Sequence, residues 1–161
     1  VVSTPTDIHD PLRAQLLMKA SDILVGNRQY DFLTKEPVHL AEIARYPLIC
    51  LGRHTTTYEF YYKFYLEHGL ILSPDTEVAT IDQIPPMILH NLGIGFLPEK
   101  LARDAISQGK VVKIPLIEQI PQRDICLIED RSAPLSIAAN ALKQMLLSCV
   151  GQSQSQDLSS I

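Results

Sequence analysis

Short apolar segments alternate along this chain with segments of helical periodicity, and this alternation limits the possible folds more than any other feature. Apolar runs of strand length occupy residues 48–51, 94–97 and 111–114. Helical stretches follow the first two, at 57–67 and 98–107. Strands that alternate with helices form βαβ units around a mostly parallel sheet. We therefore predict an α/β fold, and we find no internal repeat.

The remaining segments continue the same pattern. Further strands are predicted at 1–4, 16–18, 22–25, 77–79 and 125–128, and further helices at 40–45, in a segment ending near Asn91, and at 135–147. Gly69 and Gly109 follow two of the helices at the position where glycine commonly ends them. The polar segment 151–161 is low in complexity and is predicted to be a flexible tail.

Composition places the chain among globular domains. Its 161 residues are 46% hydrophobic and 20% charged, which is typical of a folded domain rather than a disordered chain. No apolar run approaches the roughly 18 residues that a membrane span needs. The formal charge of -4 provides no basic surface for nucleic acid, so the chain is not predicted to bind DNA by itself.

Cysteine usage favours a reducing cytoplasm, and the amino terminus indicates a fragment. Cys50, Cys126 and Cys149 are far apart, odd in number and without a CxxC pair, which predicts neither a disulfide framework nor a zinc site. The sequence opens VVSTP, without an initiating Met and without a signal-peptide pattern. We interpret it as a piece of a longer protein that is entered partway through a strand.

Two strand-to-helix junctions carry residues suited to ligand binding. Strand 48–51 runs into GRHTTT, where Thr56 and Glu59 form a T-x-x-E capping box, and strand 77–79 runs into TIDQ, a T-x-x-Q box that begins at Thr80. Helix starts at the carboxyl edge of a parallel sheet form a crevice suited to a small anion. The alternative is helix capping alone, but three consecutive threonines beside Arg53 and His54 exceed what one cap requires.

Two consecutive prolines leave the second junction open. Pro85 and Pro86 follow Thr80 too closely for a regular helix to start there, because proline lacks an N–H group and its ring clashes with the preceding turn. A helix that starts at Ile84 would tolerate Pro85 in its first turn. Thr80 and Asp82 would then lie in a loop, without a capping box.

The predicted helix at 57–67 is unusually aromatic. Four tyrosines fall on one helical face, with two phenylalanines beside them. The tyrosines are Tyr58, Tyr61, Tyr62 and Tyr65. The pattern is compatible with packing into the core and also with a subunit interface, since tyrosine is common in interfaces, where its hydroxyl stays hydrated.

Known catalytic motifs are absent from the sequence. It has no G-x-S-x-G elbow, no phosphate-binding P-loop and no H-E-x-x-H, and no paired-carboxylate pattern can be placed. The five histidines show no ligand spacing, and only His54 occupies a position that suggests ligand contact. We predict no enzyme activity, no metal site and no cofactor.

The segment 90–100 (HNLGIGFLPEK) resembles the G-x-G-hydrophobic-hydrophobic-Pro segment of LysR-type transcriptional regulators. Its surroundings agree in order and spacing. The opening residues 1–5, the YPLI strand with its threonine run, the segment 123–129 and the helix at 135–145 resemble the corresponding segments of the family. The resemblance extends nearly to Leu147.

This resemblance implies a two-lobe effector-binding domain similar to periplasmic binding proteins, with two crossing strands between the lobes. Residues 20–115 would form the second lobe, and residues 1–19 and 116–150 would be the remainder of an incomplete first lobe. The winged helix-turn-helix that binds DNA in this family would be absent. The family also pairs its effector domains, which implies a homodimer or a higher homo-oligomer and favours an interface role for the aromatic helix.

Carried over by position, the resemblance assigns effector contact to three places. Ser3 and Thr4 would lie at the lobe junction. The first helix start would contribute His54, Thr55 and Thr56, and the next junction would contribute Thr80 and Ile81. Except for Ser3 and Thr4, these are residues that the junction pattern also selects.

We therefore predict the effector-sensing domain of a bacterial transcription regulator, which binds a small carboxylate or other anion between its lobes and thereby alters dimer geometry. A solute-binding protein of the same fold that serves a transporter is the second hypothesis; it predicts an export signal. A small α/β enzyme that uses Ser3 or a cysteine as nucleophile is the third, and no residue pattern specifies the base it would need.

Overall fold

The computed structural model describes residues 2–3 and 8–157, with the side chains of 8–149. The chain divides into two compact units, which are described separately. Unit 1 combines the amino-terminal segment through Ala20 with the carboxyl-terminal segment from Arg123, and unit 2 is Ser21–Gln122. Among the described residues, no helix is long and apolar enough to cross a membrane.

Unit 1 contains a three-stranded sheet and one helix. The strands are β1 (Val2–Ser3), β2 (Leu12–Ala20) and β8 (Arg123–Asp130), and the helix is α5 (Ile137–Asp157). β8 is the central strand and pairs antiparallel with both neighbours. Lys143 on α5 donates to Glu129 on β8, with 2.6 Å between Nζ and Oε2, which holds the helix to the sheet.

The prediction of mostly parallel sheets does not extend to this small sheet. The chain leaves unit 1 along β2 and returns along β8, so two strands with opposite chain direction lie side by side and pair antiparallel over Leu12–Ala20. The predicted strands at 16–18 and 125–128 were too short. The hydrophobic pattern located both strands but underestimated their length, because much of β2 is exposed and not patterned by a core.

Unit 2 is built on a five-stranded sheet in the order β5-β4-β6-β3-β7. Its strands are β3 (Asp22–Asn27), β4 (Leu48–Leu51), β5 (Thr76–Val78), β6 (Ile94–Pro98) and β7 (Val111–Ile114). β4 pairs in parallel with β5 and β6, whereas β3 pairs antiparallel with β6 and β7, so four of the five strands share one direction. This largely parallel sheet with its helices confirms the predicted α/β class.

Helices cover both faces of this sheet. They are α1 (Leu40–Ile43), α2 (Thr56–Glu67), α3 (Ile84–Leu89) and α4 (Glu99–Ser107). Alternate strand residues point to opposite faces: Leu24 and Cys50 join a core cluster with α1 and α2, while Ile23 and Ile49 join a second cluster with α3 and α4. The two apolar layers explain why these strands are almost continuously hydrophobic.

The boundaries differ from the predictions in two places. Segment 116–122 belongs to unit 2 rather than to the other lobe, since Leu116 forms a parallel bridge with Val38 and the Glu118 side chain accepts a hydrogen bond from the Leu40 N–H. At the carboxyl end, α5 extends through Asp157, well into the segment predicted as a tail. Residues 158–161 lie outside the described residues.

Candidate functional site

The candidate site lies at the carboxyl ends of β4 and β5 in unit 2. These strands are parallel neighbours, with Leu51 opposite Val78, and the Gly52 N–H donates to the Val78 carbonyl at 3.0 Å. Parallel neighbours end at the same edge of a sheet. The two loops that the sequence selected, 52–55 and 79–83, therefore start side by side.

Thr55, rather than Thr56, caps helix α2. The Tyr58 N–H donates to Thr55 Oγ1 at 3.1 Å, and the Thr55 hydroxyl donates to the Gly52 carbonyl at 2.8 Å. Its backbone is extended, as a cap requires, and Thr56 is the first helical residue. The predicted Thr56–Glu59 capping box is therefore wrong: the cap lies one residue earlier, and the residue three positions after it is Tyr58, which has no carboxylate or amide to complete a box. The third threonine of the run, Thr57, is half-buried and lines a narrow apolar depression beside the strands.

The exposed residues of this loop are those available to a ligand. His54 and Thr56 are exposed, and Thr55 is half-buried because its hydroxyl is engaged within the loop. His54 precedes the cap of a 12-residue helix and Thr56 is the first residue of that helix. The backbone N–H groups of its first turn carry partial positive charge.

The second junction combines both alternatives left open by the sequence. A short 3-10 turn spans Ile81–Gln83, and the Gln83 side chain accepts from the Thr80 N–H at 3.1 Å as the predicted box requires. Helix α3 nevertheless starts at Ile84, with Pro85 in its first turn. A proline is tolerated there because the N–H groups of the first turn have no partner within the helix.

Charges at this edge largely offset one another. Arg53 Nε donates to Glu77 Oε1 at 3.0 Å, and this hydrogen bond raises the pKa of Arg53. A hydrogen bond from the Thr80 side chain lowers the pKa of the Asp82 carboxyl. The edge therefore carries an ion pair, the Asp82 carboxylate and the Glu59 carboxylate in the first turn of α2, so positive potential for an anion has to come from the backbone N–H groups at the start of α2.

The floor beneath the junctions is apolar. An apolar depression there, too narrow to admit a water molecule, includes Ile81 from the predicted site and Thr57, which the sequence did not single out. Its full lining is Ile49, Cys50, Leu51, Thr57, Tyr61, Ile81, Ile84 and Phe96. Burial raises the pKa of the Cys50 thiol to about 11, so the thiol stays protonated and acts as a small apolar side chain. Thr57 lies four residues before the buried Tyr61 and therefore on the same face of the helix, which is the signal that could have identified it.

The residues assigned by resemblance to the lobe junction belong to unit 1. Ser3 is the second residue of β1 and pairs with Cys126 of β8. Thr4 lies outside the described residues. The other five predicted contacts, His54, Thr55, Thr56, Thr80 and Ile81, are brought to one edge of unit 2.

The aromatic face of α2 packs into the core, which corrects its predicted use as an interface. Tyr58, Tyr61 and Tyr65 are 8%, 2% and 4% exposed, and Tyr61 stacks on Phe96 with ring centroids 4.6 Å apart. The helix that follows β4 folds back onto the sheet, so the face bearing these three residues meets the strands. Tyr62, at 38% exposure, is the member of the group with a substantial face open to a partner.

Two of these tyrosines differ in hydrogen bonding. The Tyr61 hydroxyl donates to Asp22 Oδ2, and Asp22 is itself 5% exposed. The buried Tyr65 hydroxyl has no hydrogen-bond partner among the described residues, and burial raises its pKa. Helix α2, whose start forms the candidate site, is thus tied at its middle to the first residue of β3.

Comparison with known proteins identifies the family. The family model described as the LysR substrate binding domain matches residues 1–149. The chain belongs to this family. The resemblance seen in the sequence is therefore confirmed, and the chain is an effector-binding domain of the kind found in LysR-type transcription regulators.

Solved structures of LysR-type regulatory domains share the fold of this LysR substrate-binding domain. The regulatory domain of Synechocystis PCC6803 CcmR, in complex with 2-PG, is 12% identical with a TM-score of 0.78. The match covers 92% of this chain and 72% of the CcmR chain. The effector binding domain of QuiR, in complex with shikimate, is 14% identical with a TM-score of 0.77, and the match covers 94% of this chain and 71% of the QuiR chain.

A longer relative shows the same similarity. HinK, a LysR family transcriptional regulator from Pseudomonas aeruginosa, is 17% identical with a TM-score of 0.72, and the match covers 94% of this chain and 52% of that one. At these identities the similarity shows the fold. Curated protein sequences include no match to this chain.

Proposed function

We propose that this LysR substrate-binding domain senses a small-molecule effector at the carboxyl ends of β4 and β5. One observation carries the proposal: in a chain of a regulatory family, two parallel strands deliver the start of α2 and the Ile81–Gln83 turn to the same edge. Ligands of α/β sheets bind at carboxyl edges of this kind. The CcmR and QuiR domains, which share the fold, were each solved with a small ligand.

A small carboxylate or other anion is the ligand class that this edge favours. The first turn of α2 presents backbone N–H groups beside the exposed His54 and Thr56. Arg53 already pairs with Glu77. An effector carboxylate would therefore bind mainly through helix N–H groups and hydroxyls, while an apolar part of the effector would cover Ile81 and Leu51.

Regulation would follow from effector binding in this two-lobe type of domain, with Ser3 and Thr4 as further predicted contacts. Binding would favour one arrangement of the lobes, and a dimer of such domains would transmit the change to DNA-binding domains of the complete regulator in the cytoplasm. The alternative of a transporter's solute-binding protein gains no support beyond the shared fold, because the family model and the similar structures are those of regulators.

Thermal unfolding of the chain against a panel of small carboxylates, including shikimate and 2-PG, tests the proposal. We expect at least one to raise Tm, and we expect Thr56→Ala and His54→Ala to reduce the shift. Ser73→Ala is the matched control, since Ser73 is exposed and lies in the loop before β5, at the opposite edge of the sheet. A shift that survives both substitutions, or that Ser73→Ala abolishes equally, would place the site elsewhere.

A further inference from the structure

An ion pair between Arg53 and Glu77 lies beside the start of α2, where the effector is proposed to bind. Arg53 Nε donates to Glu77 Oε1 at 3.0 Å. Arg53 is the only lysine or arginine in the two loops of this edge, 52–55 and 79–83. Because a guanidinium is always protonated in proteins, Arg53 is the one permanent cation that these loops could offer to an anion.

Sheet register brings Glu77 to this cation. Glu77 lies opposite Cys50 in the parallel pairing of β4 and β5, one residue before the end of β5. Its carboxylate reaches the first residue of the loop, since a Cβ added at Gly52 would lie 3.8 Å from Glu77 Oε2. Arg53 follows Gly52 directly, so strand pairing places the carboxylate beside the guanidinium.

The pair contributes little to the stability of the fold. The Arg53 and Glu77 side chains are 65% and 39% exposed, and solvent and salt screen ion pairs at such positions. Glu77 accepts from Nε alone, and the two terminal NH2 groups of Arg53 have no hydrogen-bond partner within the described part of the chain. The main consequence of the pair is therefore electrostatic, because it sets the charge that a ligand meets.

Glu77 cancels the charge that would otherwise attract a second ligand carboxylate. With the pair neutral, the edge retains the exposed carboxylates of Asp82 and Glu59. The backbone N–H groups at the start of α2 supply about half a unit of positive charge, which suits one ligand carboxylate. A second carboxylate on Arg53 would share the guanidinium with Glu77, and like charges that lie so close repel each other.

We propose that Glu77 is a specificity-determining residue, which occupies Arg53 and thereby restricts the site to effectors that carry one negative charge. This assignment rests on the effector site proposed above and adds the charge of its ligand. Without the Glu77 carboxylate, Arg53 would bind a second ligand carboxylate through its terminal NH2 groups, in the bidentate geometry that a guanidinium favours.

Two probes of nearly equal shape separate charge from size: succinate, with two carboxylates, and succinamate, in which an amide replaces one of them. They are titrated into the 15N-labelled full chain at neutral pH and constant ionic strength. Each is expected to shift the backbone amide resonances of Thr56 and Thr57 and to leave that of Ser73 unchanged. Wild type should bind succinamate about threefold or more tightly than succinate, because the second charge of succinate meets Glu77.

Three variants assign the effect to the pair. Glu77→Gln removes the charge but keeps an oxygen that can accept from Arg53 Nε, and it should shift the ratio of the two affinities about tenfold or more towards succinate. Succinate should then also move the Arg53 Nε–H resonance. Glu67→Gln is the matched control, since it removes one charge from an exposed residue at the opposite end of α2, and it should leave the ratio unchanged. Arg53→Gln combined with Glu77→Gln should restore the wild-type ratio.

The proposal is overturned if Glu77→Gln leaves the ratio unchanged, if Glu67→Gln shifts it equally, or if the gain persists when Arg53 is also replaced. In each of these outcomes the probes still bind, so the effector site itself stands. If neither probe shifts Thr56 and Thr57 in wild type or in any variant, the effector site and the role of Glu77 are both refuted. All three substituted residues are exposed, so each variant is expected to fold.

Discussion

Two buried tyrosines on one helix provide a matched test of what a hydroxyl group contributes to this fold. Tyr61 and Tyr65 lie one turn apart on α2, are 2% and 4% exposed, and both contact the ring of Phe96. The Tyr61 hydroxyl donates to the buried carboxylate of Asp22. The Tyr65 hydroxyl has no partner within the described part of the chain.

Tyr61→Phe and Tyr65→Phe should therefore have opposite effects on stability. Removing the Tyr61 hydroxyl takes a hydrogen bond from a buried carboxylate, which should lower the free energy of unfolding by about 1.5–3 kcal/mol. Removing the Tyr65 hydroxyl deletes a buried polar group without a hydrogen bond, so Tyr65→Phe should be neutral or stabilising by up to about 1 kcal/mol.

Urea denaturation followed by circular dichroism measures both changes, with the slope of the transition checked for constancy. Asp22→Asn combined with Tyr61→Phe should cost less than the sum of the single changes, because the two residues share one hydrogen bond. Equal destabilisation by both Tyr→Phe changes, or a larger loss for Tyr65→Phe, would refute this reasoning.

Three further predictions follow from the local geometry. Thr55→Ala should cost about 1 kcal/mol of stability in urea denaturation and Thr56→Ala much less, because Thr55 caps α2; the reverse order would restore the cap first read from the sequence. Gly93→Ala should lower stability by at least about 2 kcal/mol, since φ is +153° and an added Cβ would lie 2.3 Å from the Pro47 carbonyl oxygen; wild-type stability would contradict that contact. Partial burial opposes ionisation of Glu118, but hydrogen bonds from the Leu40 N–H, the Glu118 backbone and the His39 side chain outweigh it and lower its pKa. Its contribution to stability should be present above the ordinary pKa of 4.5 and be lost as the pH falls below it, a pH dependence that Glu118→Gln should reduce.

The candidate site illustrates what local sequence can predict. The strand 48–51, the polar loop after it and the helix at 57–67 are all present within one residue of their predicted positions. Apolar runs, hydroxyl caps and glycine stops act over a few residues, so they can be recognised without knowing the fold. The displacement of the cap from Thr56 to Thr55 arises because both threonines can cap, and the closure of the loop onto Gly52 selects one of them.

The outcome for the tyrosines shows where such reasoning ends. Periodicity placed them on one helical face, but whether that face meets the sheet or a second subunit depends on how β4 leads into α2. In the folded chain Phe96 and Asp22, which are 31 or more residues away, receive that face. Sequence spacing carries no information about contacts over such separations.

The sequence by itself determined the α/β class, the family and the two junctions, because these depend on short-range patterns and on the order of motifs. Only the tertiary structure decided the reversed direction of β3, the antiparallel small sheet and the inclusion of 116–122 in unit 2. Each depends on pairing between distant segments, such as Val38 with Leu116 or Leu40 with Glu118. Any segment has backbone groups that could form such pairs, so the sequence does not show which segments pair. The pairs that form are those that bury the shared hydrophobic core.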